Sequence, residues 1–248
     1  MIIAGDIGNT ETKVCLINSK NKIIKKIIFS SKKIDYTLFK KYLSKLNLKK
    51  KKIKKVLFCS VVPKSYSLIK NSLLKNYKIR SYELKELDLK KLINVKVNFK
   101  QIGSDRLANA LGAINKKDNF IILDFGTATT FDVLIKKTYQ GGVIAPGVRI
   151  SLSTLSDRAT LIPKINLKKT KKIIASNTIS AVRAGFFWGY TGLIDNIINL
   201  IKKETKKSFK IIITGGFSML FKNSINTKVI LNKDITIKGL IKAATLIK

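Results

Sequence analysis

Met1-Ile-Ile-Ala-Gly-Asp6-Ile7-Gly8-Asn9-Thr10-Glu11-Thr12-Lys13-Val14-Cys-Leu-Ile17 opens the chain, and its pattern predicts strand, tight turn, strand. Ile2, Ile3 and Ala4 suit a buried strand, and Val14 to Ile17 form a second apolar run. Gly8 and Asn9 tolerate the positive φ of a tight turn. The turn also carries a carboxylate, threonine hydroxyls and a lysine. A polar hairpin needs few of these. A phosphate loop uses nearly all, with N–H groups and hydroxyls around the oxygens, a lysine against their charge and a carboxylate for hydrated magnesium. Both readings stay open on this stretch alone.

Phe120-Ile-Ile-Leu-Asp124-Phe-Gly126-Thr127-Ala128-Thr-Thr-Phe-Asp132-Val-Leu-Ile135 repeats the pattern. Asp6, Gly8 and Thr10 fall on Asp124, Gly126 and Ala128, an offset of 118 residues from 6 to 124. An internal repeat on this scale predicts two similar halves, 1–116 and 117–248. Two such loops facing each other across a cleft would clamp phosphates.

Between the repeats, strand and helix patterns alternate. Strands are expected at 22–29, 56–62 and 79–82, and helices at 35–48 and 66–77. The order implies an α/β fold with the opening hairpin inside the sheet. Gly103-Ser104-Asp105-Arg106 precedes the alanine-rich stretch 107–113, with Ser104 or Asp105 as the expected helix cap. A helix N-terminus, a carboxylate and an arginine then meet at one point. That suits an anionic substrate whose reactive group faces Asp105, although a plain cap is the simpler reading.

In the second half, Gly141 to Arg149 reads as a strand into a Pro-Gly turn. Helices are expected at 150–159 and at 177–190 with Asn177 or Thr178 as cap, and 192–203 continues helical. Phe209 to Phe217 reads as a strand ending in Gly215-Gly216. Asp234 to Leu240 reads as a last strand before a short closing helix.

With 248 residues and 45% hydrophobic content, either half can bury a core. Lys+Arg number 50 against 14 acidic residues, a net charge of +36. Such a charge ordinarily suggests nucleic acid. The lysines are instead spread along the chain, as in the runs Lys49–Lys52 and Lys168-Lys169-Thr170-Lys171-Lys172. Arginine, the usual reader of bases, occurs only five times, at 80, 106, 149, 158 and 183. Compositional bias toward A/T-rich codons explains the lysines better, and a nucleic-acid partner is not expected. The few arginines left are then expected where their geometry is used.

No apolar run approaches the ~20 residues of a membrane span, and no signal peptide is evident. Two separated cysteines in apolar runs suggest buried thiols in a cytoplasmic protein. The absence of histidine leaves carboxylate, lysine, tyrosine or water as general base.

Taken in order, the motifs Asp6-x-Gly-Asn-Thr-x-x-Lys13, Gly103-x-Asp105-Arg106, Asp124-x-Gly-Thr127-Ala-x-Thr-x-Asp132, Gly141-Gly-x-Ile-x-Pro-Gly147, Asn177-Thr178 with Gly185, Thr214-Gly-Gly216 and Gly239-Leu240 resemble the type III pantothenate kinases. These belong to the acetate and sugar kinase/Hsp70/actin superfamily. The resemblance implies two actin-like (ribonuclease H-like) domains with mixed sheets flanked by helices and a cleft between them. It also implies a homodimer and ATP-dependent phosphorylation of pantothenate, the first step of coenzyme A synthesis. On that model Asp6, Ile7, Gly8, Asn9, Thr10, Glu11, Thr12 and Lys13 bind ATP, with Asp6 holding Mg2+ through water. Thr127 also contacts ATP. Gly103, Ser104, Asp105 and Arg106 bind pantothenate, Asp105 is the general base, and Thr178 reaches substrate from the partner subunit. Asp124 holds a monovalent cation, K+ or NH4+.

Three positions depart from the family pattern. Lys96 stands where a substrate-contacting tyrosine is common, Phe99 where proline is, and Phe217 where an acidic residue is. Three competing readings are a non-enzymatic transcription accessory on the same fold, another kinase or phosphatase of the superfamily, such as a kinase with another small hydroxyl substrate, and a paralogue that binds nucleotide without catalysis, against which the intact Asp6, Lys13, Asp105 and Asp124 argue.

Overall fold

Alternating apolar residues build the strands expected at the N-terminus, and the computed structural model describes residues 1–32, 35–48 and 52–247. Of the first lysine run, Lys49 to Lys51 lie outside these. The chain divides into two compact units. One comprises Met1–Ile114, Lys137–Tyr139 and Asp234–Lys248, the other Asn115–Lys136 and Gln140–Lys233.

The sheet of the first unit has the order β3-β2-β1-β4-β5, from β1 (Ile2–Ile7), β2 (Glu11–Ile17), β3 (Ile23–Ser30), β4 (Lys55–Ser60) and β5 (Tyr82–Glu83). β1 runs antiparallel to β2 and parallel to β4, so the hairpin lies at the sheet centre. Ile3, Ile7, Val14, Leu16, Val56 and Phe58 face a core closed by α1 (Tyr36–Ser44) and α2 (Pro63–Tyr77). Asp35 caps α1 by accepting from the Leu38 N–H at 2.7 Å. Pro63 starts α2, where a missing N–H costs nothing.

α3 (Ser104–Ala113) and α7 (Ile235–Ala243) belong to the same unit. The expected last strand at 234–240 is a helix instead. Ile235, Ile237 and Leu240 are buried together with Thr236 and Gly239, while Lys238 stays exposed. Only Lys238 and Lys242, at i and i+4, mark its open side, so the short run Ile235 to Leu240 mimics a buried strand.

The second unit repeats the plan. β7 (Phe120–Phe125), β8 (Ala128–Ile135), β9 (Thr138–Pro146), β10 (Lys210–Gly215) and β11 (Val229–Leu231) stand in the order β11-β10-β7-β8-β9. β7 is antiparallel to β8 and parallel to β10, as β1 is to β2 and β4. β7 begins and ends 118 residues after β1 (from 2 to 120 and from 7 to 125). At the start of β9, Thr138 and Tyr139 pair with β6 (Asn94–Val95).

Between α4 (Val148–Arg158) and α6 (Ser218–Phe221) runs one long helix, α5 (Thr178–Thr205). Helix was expected at 177–190 and continuing through 192–203, and the two join without a break. The chain stays helical past Gly192 because Phe187, Tyr190, Ile194, Ile198 and Ile201 keep one buried stripe at helical spacing. Phe221 stacks on Phe125 at 5.2 Å and on Phe187 at 5.6 Å between ring centroids, which joins α5, α6 and β7 in one core.

Candidate active site

The first unit gathers three carboxylates, two near the ends of strands and one at the start of a helix. Asp6 lies near the end of β1, directly across from Lys13 in the hairpin register. Glu83 ends β5, and Asp105 sits in the first turn of α3. Cys59, on β4 beside Asp6, marks where they converge. Burial pushes its thiol well above the ordinary value, and the charges of Asp6, Asp105 and Glu83 push it further. The thiol is therefore a donor, directed at Asp6 Oδ1 (3.5 Å) and Gly5 O (3.8 Å).

Asp105 is half-buried, and its carboxyl is held above the usual aspartate range, chiefly by burial. The Arg106 N–H, which donates to its Oδ1 at 2.8 Å, and the Arg106 guanidinium pull the other way. A desolvated carboxylate with few donors is a stronger base than an exposed one. The expected side-chain cap is absent: Gly103 occupies the cap position with no side-chain hydrogen bond. Ser104, buried at 2% exposure, donates its hydroxyl to Glu83 Oε1 instead.

Within the hairpin, the Gly8 N–H bonds the Glu11 carbonyl at 3.0 Å and closes the turn. Asn9, Thr10 and Glu11 are exposed at its tip, where main-chain and hydroxyl groups can meet an anion. Two expected ATP residues point elsewhere. Ile7 is a core side chain, and the buried Thr12 hydroxyl is bonded to Ser31 at 2.8 Å. Strand alternation turns both away from the loop face, so Ile7 and Thr12 shape the hairpin rather than offer side chains to phosphate.

In the second unit, Asp124 on β7 stands opposite Thr130 of β8 and beside Thr214 of β10. The buried hydroxyls of Thr129 and Thr130 have no hydrogen-bond partner among the described residues. Gly215 adopts φ +84°, and a Cβ there would lie 2.5 Å from Asp124 Oδ1. A side chain at 215 would thus crowd the carboxylate as well as strain the backbone. Thr127 is exposed in the β7–β8 turn. Thr178 is exposed as the first residue of α5, whose cap is Asn177 accepting from the Ser180 N–H at 2.9 Å.

The departures from the family pattern have local partners. The Lys96 N–H bonds the Tyr139 carbonyl at 3.0 Å. Phe99 lies under the Lys85 ammonium at 5.4 Å, and Phe217 lies under the Arg149 guanidinium at 5.8 Å. Glu83 was not singled out from sequence, and Cys59 was read only as one of the two buried thiols. Scarcity held the signal for Glu83: with 14 acidic residues in 248, a carboxylate is as informative here as an arginine.

Known proteins resemble this chain along most or all of its length. The family model for type III pantothenate kinase matches residues 2–200. A type III pantothenate kinase of Pelagibacter ubique (strain HTCC1062) is 73% identical over 248 residues, covering 100% of both chains. One from Sulfurihydrogenibium sp. (strain YO3AOP1) is 35% identical, over 97% of this chain and 98% of its own. Among solved structures, a ROK family glucokinase from Streptomyces griseus in complex with glucose and AMPPNP superimposes with a TM-score of 0.58. It covers 99% of this chain and 98% of its own at 13% identity, a likeness of fold.

Proposed function

The chain belongs to the type III pantothenate kinase family, and we infer from that premise that it transfers the γ-phosphoryl group of ATP to pantothenate, the first step of coenzyme A biosynthesis. The carrying observation is Asp105: a half-buried carboxylate, held above its usual range, in the first turn of a helix beside Arg106. As the primary hydroxyl of pantothenate attacks phosphorus, Asp105 takes its proton. Arg106 and the N–H groups from Gly103 onward, Ser104 among them, face the substrate's carboxylate. Phosphoryl transfer asks chiefly for positioning and charge neutralisation, so a chain without histidine is equipped for it.

Asp6 to Lys13 holds the ATP phosphates, through the exposed tip of the hairpin and the Lys13 ammonium. Thr127 gives ATP a further contact. The divalent metal that accompanies ATP fits Asp6, an oxygen donor at a strand end, where magnesium supplies charge neutralisation. Among the described residues no three of His, Cys, Asp or Glu form a metal cluster. Magnesium held by one carboxylate and substrate phosphates does not require one. A monovalent cation, K+ or NH4+, fits Asp124 with the buried Thr130 hydroxyl opposite, an all-oxygen donor set suited to a hard cation.

The second unit offers a surface for a homodimer. Ile144, Ile150, Leu161, Ile174 and Ile179 are exposed by 41% to 89%, along with Trp188. They lie on β9, α4, the segment after it and α5, the helix that begins with Thr178. A second copy covering them would bring Thr178 toward the partner's substrate. No described helix is long and apolar enough to cross a membrane. The buried free thiols Cys15 and Cys59 suit the reducing cytoplasm, where we place the protein.

An ATP-consumption assay decides the substrate. Pantothenate should be turned over, while acetate and a panel of sugars should not. Turnover of a sugar in preference to pantothenate would overturn the reading.

A further inference from the structure

We propose that Glu83 is the positioning residue for Asp105, tying the end of β4 to the first residue of the helix that carries the base. The inference rests on the reading of Asp105 as general base.

The two oxygens of Glu83 have separate tasks. Oε2 accepts from the Lys85 N–H at 2.6 Å and caps the 3₁₀ turn Leu84–Glu86. Oε1 is not used by that cap. It accepts from the Ser104 hydroxyl and from the Ser60 N–H at 3.3 Å. Ser60 ends β4, one residue beyond Cys59. Ser104 precedes Asp105. One carboxylate oxygen thus holds both the strand end beside Asp6 and the start of α3.

The helix start depends on this tie. Its cap residue, Gly103, contributes no side-chain bond, so the Ser104 hydroxyl anchors the first turn to Glu83, outside the helix. The same 3₁₀ turn braces the approach to α3 a second time. The Lys85 ammonium donates to the carbonyls of Lys100 and Ile102, each at 3.0 Å, and covers the Phe99 ring. Hydrogen bonds to an ionised acceptor are short and directional, which suits a group that must hold a reacting side chain in place. A Glu83 that only capped its own turn would need Oε2 alone.

Steady-state kinetics of Glu83→Ala, Glu83→Gln and Ser104→Ala, with melting temperatures, test the inference. Glu83→Ala and Ser104→Ala should lower kcat by about 10-fold or more, since a base displaced by about 1 Å can cost about 100-fold. The KM for ATP and the KM for pantothenate should stay within about twofold. Glu83→Gln keeps an amide oxygen for Ser104 but turns its NH2 toward the Lys85 N–H, so it should lower the melting temperature while keeping kcat within about threefold. Ser104→Ala leaves the 3₁₀ cap intact and serves as the test should Glu83→Ala not fold. A wild-type kcat in Ser104→Ala would overturn the proposal, as would a Glu83→Gln variant as slow as Glu83→Ala. A raised pantothenate KM with unchanged kcat would overturn it too, and assign Ser104 to substrate contact alone. Asp105→Asn is measured in parallel. If it turns over pantothenate like wild type, the base assignment has failed. If it is inactive while Ser104→Ala is normal, only the role of Glu83 has failed.

Discussion

Gly239 of α7 lies against the carbonyl of Ala108 in α3, so closely that a Cβ on Gly239 would come within 1.8 Å of that oxygen. Gly112 makes the reciprocal approach: a Cβ there would lie 2.2 Å from the Ile235 carbonyl oxygen. Between them Thr236 donates to the buried Asn109 side chain at 2.7 Å. The helix carrying Asp105 is therefore clamped along its length by a segment more than 120 residues away in sequence.

Gly239→Ala should accordingly destabilise the protein, although alanine is the better helix former by about 1 kcal/mol. The obstructing atoms are backbone and cannot rotate aside, so the helices must separate. A net loss of about 2 kcal/mol is expected, or about 4–8 °C in melting temperature for a chain of this size. Gly192→Ala in α5 provides the contrast, because nothing lies within 4 Å of its Cβ position. It should gain up to about 1 kcal/mol. Thermal melts of the two variants moving in the same direction would refute this packing account.

What was legible in the sequence follows from locality. The hairpin at Asp6 and its echo at Asp124 carry strand alternation, turn residues and a fixed offset within seventeen residues. That was enough to set β1 and β7 in corresponding places in their sheets. The motif Gly103–Arg106 was legible as a helix start because small polar residues precede an alanine-rich run. The return of α7 to the first unit was not, since its burial comes from a distant helix, α3, and two lysines, Lys238 and Lys242, are a thin signal over nine residues. The Glu83–Ser104 bond was not legible either. It joins positions 21 apart across a strand end and a helix start, and no local pattern encodes that pairing.

Both thiols should be inert in the folded protein. Burial pushes Cys15 up to about 11, with the nearby ammonium groups of Lys26 and Lys13 only partly offsetting it. Cys59 is raised well above its ordinary value by burial and by Asp6, Asp105 and Glu83. Since the thiolate is the nucleophile, titration with a thiol-specific disulfide reagent near pH 8 should show no fast-reacting group. Both cysteines should react once denaturant is added. A fast native thiol would mean that one of these side chains is reachable and ionised.

At Asp124, activity with pantothenate should require K+ or NH4+, with sodium alone a poor substitute. Thr130→Val removes the hydroxyl across from Asp124 at nearly constant volume. It should raise the K+ concentration for half-maximal activity by about 10-fold, as loss of a supporting group at a cation site does. The ATP KM at saturating K+ should hold. Equal activity in sodium and potassium for the native enzyme would remove the cation from Asp124.

Asp105→Asn should separate activity from stability. Loss of a general base costs about 100-fold or more in turnover, while ATP binding, which the hairpin at Asp6 provides, should persist. Burial holds the folded-state pKa of Asp105 above its ordinary value of 3.8. The native protein thus binds this proton more tightly than the unfolded chain does. The resulting stabilisation is full below the unfolded value and lost as pH rises through the folded one. At neutral pH the ionised carboxylate is therefore a burden on the fold, and asparagine should relieve it. The variant should melt higher than wild type near pH 7, and the gap should narrow as pH falls toward about 4. The acid limb of the wild-type kcat/KM profile should likewise lie above the range of an exposed aspartate, because only the ionised form accepts the proton. An inactive variant that melted lower at neutral pH would show that Asp105 is held for packing, with its charge stabilised by the site.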